Sequence, residues 1–309
     1  MTEPEDAMRM VEGPVVERAD PFDPFDPEGG TVELARPGAP SPAAWPRDPL
    51  APAGDLRGWL AGLAFVLRRC TLPMLPAAAL AALPAHFFAG RVDDTVVAAP
   101  ALSEAAGVFG LLLLPLMWLA YFAVAALPYV ILLAGMAGVA VPAASGARSG
   151  LRTAWRLVAY RLRGLWLWLA AFGVVVQALG LLLTADRLGS APAAQLAVAL
   201  GIAAVASLTI TGVLGCVVLI EGGPGLSRAA HLLSRRTAGP LVVASLGVLL
   251  LPRVGELIAG GPGSTIAAVG AILVWAAAAV VTYAQARFAD RTAVSSSRLL
   301  GELEASGAA

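Results

Sequence analysis

Proton transfer, metal binding and nucleophilic attack all need reactive side chains brought together, and this chain has few outside its arginines. Its histidines are His86 and His231, and its cysteines are Cys70 and Cys216. Neither pair has metal-ligand spacing, and no His-Glu-x-x-His, Gly-x-Ser-x-Gly or Gly-rich P-loop string occurs. The pattern predicts no catalytic residue, no metal and no cofactor. Both cysteines border apolar runs and read as small apolar residues.

Arginine is the other chemistry the chain offers, and it accounts for every basic residue. Drawn on a helix, Arg148, Arg152, Arg156 and Arg163 fall on one side, while Leu151, Ala154, Val158, Leu162 and Leu165 fall on the other. Arg161 breaks the separation. A basic face opposite an apolar one describes a helix lying in a membrane interface, and Trp166 and Trp168 suit the headgroup level just before the chain enters the bilayer. Leu56 to Arg69, ending in Arg68 and Arg69, is a second segment of this kind. Gly225 to Ala238, with Arg228, Arg235 and Arg236, is a third. Guanidinium groups so placed are candidates for anionic lipid headgroups.

Composition sets the frame for these elements. With 58% hydrophobic and 14% charged residues and a mean hydropathy of +0.78, the chain lies outside the range of soluble domains. A neutral total hides an asymmetry: residues 1–54 carry eleven acids against four arginines, and the rest carries seventeen arginines against ten acids. Rich in proline and acid, residues 1–54 read as a disordered cytoplasmic tail. Its tandem Pro21-Phe22-Asp23 and Pro24-Phe25-Asp26 is a candidate docking motif for a protein partner. Residues 55–295 form the membrane domain, and 296–309 a flexible C-terminal tail. A positive n-region is missing at the start, so the spans themselves are expected to direct insertion.

Six spans follow. The first, about Cys70 to Ala89, contains Pro73, Pro76 and Pro84, which should kink or shorten it. Residues 105–147 hold no charge, and as one helix these 43 residues would reach roughly 65 Å. Two crossings broken near Pro128 would separate the first arginine cluster from the others. One crossing, Gly107 to Leu127 with a Pro128-kinked extension through Val141, keeps all three on one face and is the reading taken. The third span is Gly164 to Thr184. The fourth, Ala193 to Ile220, carries Ala199, Ala203, Ser207, Thr211 and Gly215 at every fourth position, a stripe that allows close helix approach. The fifth is Gly239 to Ile258 and the sixth Ser264 to Arg287. Arg253 and Glu256 are spaced to pair near the far interface. With Gln177, Ser207 and Thr211 they are the candidates for a polar interior. His86 and His231 fall on opposite faces, which disfavours an enzyme.

An internal repeat organises the spans. Gly150-Leu151-x-x-Ala154-x-x-Leu157 aligns with Gly225-Leu226-x-x-Ala229-x-x-Leu232, which also pairs Arg161 with Arg236. Shifting back sets Arg69 beneath Arg161. The fold predicted is all-α and polytopic, with six transmembrane helices in three repeats of interfacial helix plus two spans. Both termini are then cytoplasmic and the location is the bacterial plasma membrane.

The strings Gly150-Leu151-Arg152-Thr153-Ala154-Trp155-Arg156-Leu157 and Glu221-Gly222-Gly223-Pro224-Gly225-Leu226-Ser227-Arg228-Ala229-Ala230, with Val281-Thr282-Tyr283 in the last span, resemble the six-helix membrane-domain family found fused to some bacterial glycerophosphodiester phosphodiesterases, and related uncharacterised actinobacterial membrane proteins. The resemblance covers roughly residues 55–295. It implies a cytosol-facing, arginine-bearing membrane module of unassigned activity and supplies no catalytic residues. The expected partners are membrane lipids, anionic ones in particular, and an unidentified protein for the tail; nothing predicts nucleic acid. The functional expectation is a non-catalytic accessory or scaffold with lipid contacts, and the alternative a transporter or flippase for an apolar or amphipathic molecule.

Overall fold

The computed structural model describes residues 48–50, 55–87, 108–147, 151–184, 193–222, 225–233, 238–290 and 295–305. Apart from residues 48–50, the acidic tail lies outside them, as do the loop with Asp93 and Asp94, and Arg148, Arg235 and Arg236. Within them the fold is all-α. Helix α1 is Leu56–Phe87, α2 Val108–Ala144, α3 Leu151–Val158, α4 Leu162–Thr184, α5 Ala193–Ile220, α6 Gly225–Leu233, α7 Gly239–Ala289 and α8 Ser296–Ala305. A 3-10 turn, Ala159–Arg161, joins α3 to α4.

Among the described residues, five stretches are long and apolar enough to cross a membrane: Leu56–Ala82, Leu119–Ala144, Ala154–Val175, Gly201–Ile220 and Gly239–Ala289. Their outer surfaces expose large apolar side chains such as Leu72, Val124, Val243, Leu257 and Ile266, which only a lipid solvent accommodates in such number. The chain is therefore a multi-pass membrane protein.

Helix limits follow from sequence in most places. Within the uncharged run 105–147, Val108–Ala144 is one helix, α2, which continues through Pro115 and Pro128 and at 1.5 Å per residue is about 55 Å long. Segment α1 departs from expectation, because no break separates Leu56–Arg69 from the apolar residues after it. Leucine, alanine and arginine are good helix formers, and nothing between them stops the helix. The chain beyond Ser295 departs as well: Ser296–Ala305 is a helix whose Leu299 and Leu303 are buried, not a flexible tail.

Helix α7 is two limbs. At Ala259 and Gly260 the backbone leaves helical geometry, and Gly260 takes φ +67°, ψ −154°, a region open only to glycine. Leu241 on the first limb and Ala279 on the second both face Gly212 of α5, so the second limb returns alongside the first. Where the limbs meet, the backbones of Gly255 and Gly263 touch, and a Cβ on either would collide with the other's carbonyl. Helix α1 packs against this returning limb: Trp59 Nε1 donates to Thr282 Oγ1 at 3.0 Å, and Gly62 faces Val281 and the Pro49 carbonyl.

Gly255→Val is expected to force the limbs apart and cost about 1–3 kcal/mol, the usual range for overpacking. Gly270→Ala, where a Cβ meets nothing within 4 Å, should be neutral or stabilising by under about 1 kcal/mol. Thermal unfolding in detergent ranks the two; equal midpoints would refute the tight crossing.

Candidate functional site

Charge collects where α5, α6, α7 and α8 meet. Arg287, two residues from the end of α7, is buried, with a side chain only 5% exposed. Its guanidinium forks onto Glu302 of α8 at 2.9 and 3.0 Å, reaches Glu221 at the end of α5 at 3.0 Å, and donates to the Tyr283 hydroxyl at 2.9 Å. Tyr283 in turn donates to Glu221 Oε1 at 3.1 Å. The other Glu221 oxygen takes Arg228 Nε of α6 at 3.1 Å, and Arg228 Nη1 reaches Asp290 at 2.8 Å. His231, also on α6, meets the second Asp290 oxygen at 3.2 Å. One connected chain of charges thus fastens four elements.

Two further contacts extend this end of the molecule. Arg161, in the 3-10 turn, donates to the Leu219 carbonyl at 2.6 Å, satisfying an acceptor at the end of α5. The guanidinium lies over Gly222, whose φ of +70° and lack of a Cβ leave room for it. Asp48 accepts from the backbone nitrogens of Leu50 and Ser296, so it caps α8 from the other end of the chain. Leu50 beside it is buried.

The spaces between the helices, among the described residues, include the following three. A groove of about 590 Å³ runs between α1, α2 and α3, lined by Pro73, Pro76, Leu80, Tyr121, Ile131 and Trp155 among others. A cavity of about 330 Å³ lies among α1, α2, α4, α5 and α7. Ser207 and Thr211 face it together with Tyr129 and Trp275, whose rings meet edge to face at 6.2 Å. A third, almost entirely apolar groove of about 900 Å³ lies beside the contact between α5 and the first limb of α7, with Thr209 in its wall.

The sequence candidates divide among these places. Arg68, Arg69, Arg152, Arg156 and Arg163 are exposed. Arg228 is held in the charge network. Ser207 and Thr211 line the central cavity, while Arg253 and Glu256 pair at 3.3 Å, both exposed, on the first limb of α7 near its break. Gln177 is on α4, its side chain outside the described residues. The hydroxyls and the ion pair are therefore not brought together. Sequence reasoning missed Glu221, Tyr283, Arg287, Asp290 and Glu302 as a group. Their only signal was that Glu221 and Arg287 each end a long uncharged run.

Among the described residues, no three of His, Cys, Asp and Glu gather as a metal would require. Compared with models of known protein families, with curated proteins and with solved structures, the chain finds no match.

The network predicts two measurable effects. Arg287→Met leaves two carboxylates facing each other and should cost about 3 kcal/mol, the low end for breaking a buried pair, because Glu302 keeps an edge in water. Adding Glu302→Gln should return part of that loss in the same unfolding measurement. The Asp290 carboxyl is held below its usual range, first by the hydrogen bond from Arg228 and then by that from His231. A depressed acid contributes stability that is present above its unfolded value of about 3.9 and lost as pH falls through the folded value. Acidification from about pH 5 to about pH 3 should therefore lower the unfolding midpoint less in Asp290→Asn than in the native chain.

Proposed function

We propose that this chain is a six-crossing membrane module, without catalytic activity of its own, that contacts lipids and scaffolds a partner at the cytoplasmic face. The observation that supports it most is the clustering of charge at one end. The network of Glu221, Arg228, His231, Arg287, Asp290 and Glu302 lies at the same end as α3, since Arg161 beside α3 bonds Leu219 two residues before Glu221. Arg152, Arg156 and Arg163 are exposed there.

The positive-inside bias then assigns that end to the cytoplasm, with both termini. Counting the limbs of α7 as separate crossings gives six. The repeat of interfacial helix plus two spans is supported by α3 before α4 and α6 before α7; α1 carries its basic pair within one helix. The same residue strings support kinship with the six-helix membrane-domain family. Carboxylates at this end are engaged by guanidiniums that bind helices together, a use that favours scaffolding over proton transfer. The acidic tail offers the partner site.

A second reading, transport or flipping of an amphipathic molecule, is favoured by the cavity that Ser207 and Thr211 line. Movement of a labelled lipid in proteoliposomes, abolished by Thr211→Leu, would establish it over the scaffold.

In a background lacking Cys70 and Cys216, Arg156→Cys and Ser227→Cys should be labelled by an impermeant maleimide from the cytoplasm, and Ile258→Cys from the opposite side. Labelling of positions 156 and 227 from different sides would end the proposal.

A further inference from the structure

The groove between α1, α2 and α3 is apolar along its length and marked by charge at one end. We infer that it holds one acyl chain of an anionic glycerophospholipid, with the phosphate between Arg69 and Arg152. This rests on the lipid-contacting reading and narrows it to one site and one ligand class.

Height along α2 sets the two arginines together. Cys70 Sγ meets the Met136 carbonyl, and Ala154 packs on Gly138; Met136 and Gly138 differ by only about 3 Å of rise. Arg69 just precedes Cys70, and Arg152 just precedes Ala154. Both are exposed, so they flank the same end of the groove. Spacings of four, three and four put Arg69, Pro73, Pro76 and Leu80 on one face of α1, and the last three line the groove. Arg152 stands one turn before Trp155, a lining residue suited to headgroup depth.

The remaining features match a phospholipid. From Gly135 to Tyr121 the α2 wall spans 14 residues, about 21 Å, which exceeds one leaflet of a core about 30 Å thick. Pro73 has no N–H, so the Arg69 carbonyl lacks its helical donor and can accept one from a headgroup or glycerol hydroxyl. No acid occurs in α1, α2 or α3, and guanidiniums fork onto phosphate oxygens. An apolar partner helix in the same place would leave both arginines without an anion.

The test uses the full chain in phosphatidylcholine nanodiscs doped with a phosphatidylglycerol carrying a diazirine near one acyl terminus. After irradiation, adducts are expected between Tyr121 and Ile131. They should fall at least about fivefold in Arg69→Gln/Arg152→Gln, or when phosphatidylcholine carries the diazirine. Both arginines are exposed, so the double variant keeps the fold; Ala125→Trp, which fills the groove, should also remove the adducts. Equal labelling by both lipids, or no response to the double variant, would overturn the headgroup assignment. Adducts confined to other surfaces but still preferring phosphatidylglycerol would overturn the groove and leave the lipid-contacting reading standing. Labelling without preference or location would overturn both, as would cross-links to a second protein helix in the groove.

Discussion

Burial of the Arg287 guanidinium is the constraint on which the assembled end of this molecule depends. A charge withdrawn from water costs several kcal/mol unless hydrogen-bonded anions replace the solvent. Three acceptors do so here, from α5, α8 and α7 itself. None of those elements can shift far without stranding the charge. Glu221 is shared with Arg228, which passes the constraint to α6 and then through Asp290 to the end of α7. Such a network adds little net stability against a well-packed apolar alternative, but it penalises other arrangements of the same helices strongly. In a bilayer, where apolar faces gain nothing from leaving lipid, a specifying interaction of this kind matters more than in water.

Away from that end, helix order is carried by close packing. Gly212 and Gly215 on α5 admit Ala279 and the Leu133 side chain respectively, and the Gly255–Gly263 contact closes the α7 hairpin. Dispersion across these short separations is what association in lipid relies on. Thr209 and Ser245 use the same proximity for a buried hydrogen bond of 3.1 Å between α5 and α7. The small-residue stripe of α5 thus has two uses along its length: Gly215 packs, while Thr211 and Ser207, one and two turns before it, face a cavity.

Span limits were legible in the sequence wherever an apolar run ended at a charge or a glycine. Ala193 to Ile220 is α5, and the break between Ile258 and Ser264 is where α7 turns. What periodicity could not supply was continuity and pairing. Arg68 and Arg69 look like the end of an interfacial segment, yet helix propensity carries α1 through them. Residues 296–305 look like a tail because their large apolar residues are just Leu299, Leu300 and Leu303; the burial of Leu299 and Leu303 and the Asp48 cap come from distant parts of the chain. Glu221 and Arg287 are 66 positions apart, and no local pattern relates them. Arg161, which spoils the amphipathic face of its segment, does so because it turns inward to α5.

That inward turn separates the arginines into two populations with different consequences. Arg161, Arg228 and Arg287 point to acceptors inside the protein, and their charges are largely spent on Glu221, Asp290, Glu302 and a helix-end carbonyl. Arg68, Arg69, Arg152, Arg156 and Arg163 are exposed on helices that contain no acid. The three internal arginines are offset by three carboxylates, whereas the five outward ones meet no acid on their own helices. Charge so placed, beside apolar surface and at one end of the bundle, interacts with whatever anions that interface provides. In a membrane those are lipid phosphates, and their attraction is long-ranged only to about 8 Å at physiological ionic strength. In the proposed lipid contact the outward arginines act locally, on molecules already at the protein's edge, and the groove beside Arg69 and Arg152 takes the chain of one of them.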